Sequence, residues 1–184
     1  MPLTPFHLFP TGVVYFLFYR RLHGIAFILA SVLMDIEPIL YLVLGFPQGS
    51  FPLLLGGYVP MSFHAFTHNP FAIFLGVAPL TAILAKSLEL AKPLWLQIFL
   101  DAEWIDYSWK LTYLSAVLGC FIHLGWDSTM YSDVNFGFPF TRISNPLRNS
   151  QFEIWIGILS LILIVPAYFV GKRINGGNPL RKLP

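Results

Sequence analysis

The sequence predicts an all-α fold: a helical bundle embedded in a membrane, with about five spanning helices, an interfacial helix and an irregular outer loop. Three observations carry this expectation. The 184-residue chain is 56% hydrophobic and only 11% charged, whereas soluble domains carry about 25% charged residues. Its mean hydropathy is +0.68. Its apolar residues form long runs, separated by basic or Gly/Pro-rich stretches. One transmembrane domain over residues 1–184 is therefore expected. The 18 Phe, 8 Tyr and 5 Trp suit a lipid-facing surface with aromatic belts.

Five stretches approach the roughly 20 apolar residues that a spanning helix needs. The first runs from about Thr4 to Tyr19 and is closed by Arg20 and Arg21. The second, from about Gly24 to Gly45, contains Asp35, Glu37 and Pro38. The third runs from Pro70 to about Leu90, and the fourth from about Leu111 to Tyr131. The fifth covers Phe152 to Val170, between Glu153 at its start and Lys172 and Arg173 at its end. Residues 46–63 are broken by Gly and Pro and suit a re-entrant or interfacial loop. Residues 93–110 mix Trp with acids and suit an amphipathic helix on the membrane surface. The N-terminus has no basic stretch before its apolar run, so a cleaved signal peptide is not expected.

With five spans, one side holds Arg20, Arg21, Lys86, Lys92, Lys110, Lys172, Arg173, Arg181 and Lys182, and the other only Arg142 and Arg148. Basic loops stay cytoplasmic. The N-terminus is thus expected outside and the C-terminus inside, in a cell or inner membrane. The net charge of +2 is too small and too scattered for nucleic acid. A single cysteine, Cys120, excludes an internal disulfide and a cysteine-rich metal site.

The informative residues are polar groups at membrane depth, where each needs a partner. On this topology His7, Asp35, Glu37, His64, His68, His123, Asp127 and Asp133 all fall in the outer half. His123 and Asp127 are four apart and share a helix face, so they can point at one ion. His64 and His68 have the same spacing beside Pro70. Asp35 and Glu37 diverge by about 200° on a regular helix. A kink at Pro38 would let them converge. A mixed imidazole and carboxylate set suits zinc first, then manganese or iron. One or two ions are compatible with the number of candidates, and paired ions favour attack on phosphoesters. The expected metal shell is His7, Asp35, Glu37, His64, His68, His123 and Asp127, with Asp133 and Ser128 as further candidates. Glu37 is the first choice as general base, with Asp35 the other catalytic carboxylate. Arg142 and Arg148 could hold a substrate phosphate or anchor to lipid. His23, beside Arg21, reads as interfacial. The chain has no Gly-rich phosphate loop, no GxSxG elbow and no HExxH.

The stretches TPFHL at 4–8, MDIEP at 34–38, FHAFTHN at 63–69, FIHLGWDS at 121–128 and GFPF at 137–140 occur in order. Together they resemble the predicted membrane-bound metal-dependent hydrolases, the family of the LexA-regulated inner-membrane hydrolases. The likeness covers residues 4–141. It implies an α-helical membrane hydrolase, distantly similar to zinc-dependent phospholipase C, with His123 and Asp127 in the zinc-binding His-x-x-x-Asp roles. The chain departs from that pattern at Met34 and Glu37, where many members have Pro and Asp. Ala65 stands where many carry Arg, and Asn69 where many carry Ser.

The expected function is hydrolysis of a lipid-borne ester, a phosphoester first, at the outer face by a metal-bound hydroxide. Membrane lipid is the expected partner, with a homo-oligomer the other. Two alternatives belong to other classes. One is a cation- or proton-coupled transporter using Asp35 and Glu37. The other is a metal-stapled membrane protein without turnover.

Overall fold

The computed structural model describes residues 8–45, 49–62, 64, 66–91, 107–143, 145–147 and 150–175. His7, Arg148 and most of the expected interfacial helix lie outside these residues. The architecture is helical. Helix α1 covers Leu8–Phe18 and runs into a short 3-10 turn, Tyr19–Arg21. Helix α2 covers Gly24–Leu33 and α3 covers Ile36–Leu44. A two-stranded antiparallel hairpin follows, β1 Ser50–Pro52 and β2 Tyr58–Pro60. Next come α4 Pro70–Ala72, a π-helical turn Ile73–Val77 and α5 Ala78–Ala91. Helices α6, Trp109–Met130, and α7, Ser150–Asn175, complete the order.

Three stretches are long and apolar enough to cross a membrane: Gly24–Leu44, Pro70–Glu89 and Trp155–Asn175. Of the last, only 17% of the apolar window is buried within the protein, so Ile158, Ile162, Val165 and Phe169 need an apolar medium outside it. The Gly24–Leu44 stretch is not one continuous helix. It breaks at Met34–Asp35 and restarts at Ile36, which places Pro38 in the first turn of α3. There its missing N–H removes no intrahelical hydrogen bond. The expected irregular loop at 46–63 is, in its described part, the hairpin. Gly56 and Gly57, at φ 94° and 88°, make its turn. Leu53, Val59 and Phe138 pack as a small cluster beneath it, with Phe66 against them.

The core lies where α2, α5 and α6 meet. It is built from Ala26, Ala30, Met34, Ile73, Ala78, Ala85, Ala116 and Cys120. Small residues let the helices approach closely, which matters where lipid supplies no hydrophobic drive between them. At Gly119 a Cβ would stand 2.3 Å from the Phe27 carbonyl oxygen. Helix α1 packs along α7, and Asn175 donates to the Leu17 carbonyl at 3.1 Å. Within the π-helical turn, the Phe74 carbonyl accepts from the Tyr113 hydroxyl at 3.0 Å. The residue five positions on, Pro79, has no N–H to offer this carbonyl.

His23 is fully buried within the protein, at 0% exposure. Its Nδ1 accepts the Ala26 N–H and caps α2. The ring proton therefore sits on Nε2, which lies 2.6 Å from Glu89 Oε1. Lys86 Nζ donates to the other Glu89 oxygen at 2.8 Å and also to the Tyr107 carbonyl. The start of α2 is thus tied to the end of α5 by charge-assisted hydrogen bonds.

Gly119→Leu should push α2 off α6. A loss of about 1–3 kcal/mol is expected for such overpacking, read as a lower Tm of the detergent-solubilised protein, whereas Gly125→Leu, in open space, should change little.

Candidate metal centre

Four buried residues converge at one end of the core: Asp35, His68, His123 and Asp127, with one ligand atom of each within 4.8 Å of all the others. Three elements supply them. Asp35 occupies the N-cap position of α3 at the helix break, with its side chain turned to the cluster rather than to the helix N–H groups. His68 precedes α4, whose first residue is Pro70. His123 and Asp127 lie one turn apart on α6, on the face that Gly119 presses against α2. His68 Nε2 is 2.8 Å and His123 Nε2 3.0 Å from Asp127 Oδ2. His123 Nε2 is also 3.3 Å from Asp35 Oδ1. The side chains of His68, His123 and Asp127 are fully enclosed, while 11% of Asp35 is exposed. A cluster of this make-up could hold a metal ion.

The hydrogen bonds behind His68 fix its tautomer. The Thr67 hydroxyl has one proton, and its acceptors are Glu37 Oε2 at 2.8 Å and the Met34 carbonyl at 3.1 Å. Toward His68 Nδ1, 2.8 Å away, it must then accept. His68 therefore carries a proton on Nδ1, and in the neutral ring its Nε2 lone pair faces the Asp127 carboxylate. In the neutral ring these are two acceptors 2.8 Å apart, an arrangement that a cation beside them would stabilise. Burial drives the His68 pKa below its usual range, against the pull of Asp127. The neutral ring is the form that ligates a metal.

The other expected ligands have different places. Glu37 lies outside the four-residue group. Its carboxylate accepts from the Phe66 N–H, the Thr67 N–H and hydroxyl, and the Tyr41 hydroxyl. The break in the second span does occur, but Asp35 and Glu37 serve different partners. His64 also lies outside the group. Its ring stacks on Tyr131 and meets His68 edge-on, with centroids 4.1 and 4.6 Å apart. His64 Nδ1 pairs with both oxygens of Asp133 at 3.1 Å. Burial works to raise the Asp133 pKa, but the hydrogen bond and charge of His64 outweigh it and hold the carboxyl below its usual range. Ser128 is buried and donates to the Leu124 carbonyl at 2.6 Å, so its hydroxyl is committed to its own helix. Arg142 lines a cleft beside Asp133. His7 and Arg148 lie outside the described residues.

Thr67 and Asn69 are the supports that sequence reasoning missed. Asn69 accepts the Ala72 N–H at 2.8 Å and donates to the Phe66 carbonyl at 2.8 Å, capping α4 and closing the 66–69 turn. The pattern Asn-Pro at 69–70 was the available signal: a cap residue followed by proline at the first helical position.

Thr67→Val keeps the shape but removes the hydroxyl that orients His68. Metal affinity is expected to fall about 10–100-fold, measured by competition with a chromophoric chelator. Unchanged affinity would refute the role given to Thr67.

No family model, no curated protein and no solved structure matches the chain.

Proposed function

We propose that the protein is a membrane-embedded, metal-dependent hydrolase that cleaves a phosphoester of a lipid or lipid-linked substrate at the outer face. The observation that carries this reading is the convergence of Asp35, His68, His123 and Asp127 into one buried group of metal-ligand types, with His68 Nε2 2.8 Å from Asp127 Oδ2. Asp35, His68, His123 and Asp127 would bind the ion, and zinc suits this imidazole and carboxylate mixture best. A bound divalent ion would supply an activated water and offset charge on the phosphoryl oxygens. The resemblance to membrane-bound metal-dependent hydrolases points the same way.

The chain's own groups divide the remaining work. Glu37 holds the loop that carries His68, and its oxygens are filled by donors. Asp35 is the better general base, because it alone of the four has an exposed edge, 11% of its side chain. Helices α1 and α6 would join the three apolar stretches to make five crossings. The bias of basic residues would put the N-terminus outside and the C-terminus in the cytoplasm. The candidate centre would then open toward the outer leaflet.

Asp127→Ala should lose bound metal, read by elemental mass spectrometry of purified protein, and phosphoesterase turnover with it. Turnover that survives this substitution, or metal-free wild type in a folded state, would overturn the assignment.

A further inference from the structure

The metal-binding group uses neither Asp133 nor the cleft that Asp133 lines. This cleft, about 180 Å³, lies between the hairpin and the segment after α6, with Val59, Pro60 and Ser62 on one side and Asp133, Asn135 and Arg142 on the other. It borders the candidate centre. His64 holds Asp133 through Nδ1 and touches the His68 ring, so one imidazole separates cleft from centre.

We propose that this cleft receives the headgroup of a zwitterionic phospholipid, the phosphate toward Arg142 and the protonated amine toward Asp133. The proposal rests on the hydrolase reading for its catalytic sense, but not for binding. Both signs of charge line one small space. A ligand of single charge would meet repulsion from one of them, which is how a site rejects the wrong partner. Asp133 is fixed by His64 yet 33% of its side chain stays exposed. A carboxylate has about four acceptor positions, so it retains room for an ammonium donor.

Arg142 is exposed, but its backbone is held. Asn135 accepts the Ile143 N–H at 2.8 Å and donates to the Thr141 carbonyl at 3.2 Å, bracketing Arg142 on both sides. The hairpin supplies the rest of an amphiphile site. Its strand β2 contributes Val59 and Pro60 to the cleft, and its tip exposes Leu54 at 71% and Leu55 at 77%. Backbone bonds from these two leucines to the Pro139 and Phe140 carbonyls, both 2.9 Å, fasten the tip to the segment that carries Arg142. Polar cleft and apolar tip are thus one rigid piece, arranged for a headgroup and the start of its chains.

The test is lipid selection by native mass spectrometry. Metal-stripped protein in detergent is offered an equimolar mixture of phosphatidylethanolamine and phosphatidylglycerol. Wild type is expected to retain phosphatidylethanolamine about tenfold over phosphatidylglycerol, the scale of one partly buried charge pair. Asp133→Asn should erase that preference, Asp133→Glu should keep it, and Arg142→Gln should weaken both lipids. Equal retention by wild type, or a preference intact in Asp133→Asn, overturns the proposal. Because binding alone is read, loss of the preference sinks this proposal and leaves the catalytic reading to the metal and turnover test of Asp127→Ala.

Discussion

One buried carboxylate organises the end of the bundle where the candidate centre lies. Glu37 is 5% exposed and accepts from two backbone N–H groups and two hydroxyls, at 2.8 to 3.1 Å. A buried carboxylate is costly unless its lone pairs are filled. Here the donors come from the irregular segment at 66–67 and from Tyr41 on its own helix. Satisfying Glu37 therefore folds that segment down onto α3. Thr67 then relays the constraint to His68, and Asn69 passes it on to α4. Glu37 thus orients His68, a member of the group that could hold a metal ion.

The bundle has polar ties at both ends of α2 and small residues between them, where the buried Ser31 hydroxyl also meets that of Thr11 at 3.0 Å. His23 caps its start and reaches Glu89; Asp35 follows its end and reaches His123. Between them lie Ala26 and Ala30, packed against Ala116, Gly119 and Cys120 of α6. Lipid is as apolar as leucine, so burial of aliphatic surface gives helices little reason to associate. Close contact between small residues and hydrogen bonds at the ends must do so instead. The face of α6 that carries Gly119 also carries His123 and Asp127, so packing and ligand placement share one surface.

Much of this was legible in the sequence, for physical reasons that differ by residue. His123 and Asp127 could be paired because a regular helix makes four-residue spacing into a shared face. The break near Pro38 could be expected because a proline inside a helix removes one hydrogen bond and crowds the preceding turn. The division of labour between Asp35 and Glu37 could not, because it depends on the 66–69 segment, which has no period to read. His64 and His68 share a spacing that suggested one role, but they sit in a bend, so one joins the four-residue group and the other pairs with Asp133. His23 and Glu89 are 66 positions apart, and no local pattern links such distant partners. The hairpin was hidden because its Gly and Pro signal a turn without saying what flanks it.

The π-helical turn at Ile73–Val77 has a consequence for rotational phase. A π turn accommodates one residue more than an α turn over the same rise. Each residue advances a helix by about 100°, so everything after Val77 is rotated relative to an uninterrupted helix. Thr81, Ala85 and Lys86 are buried with the phase as it stands, and Glu89 meets His23. At the other end, the same rod begins directly after His68 and Asn69. The turn is thus a phase corrector: it lets a single helical rod present the right side to two polar clusters at opposite ends. Shortening it by one residue would leave one end in register and swing the other toward lipid.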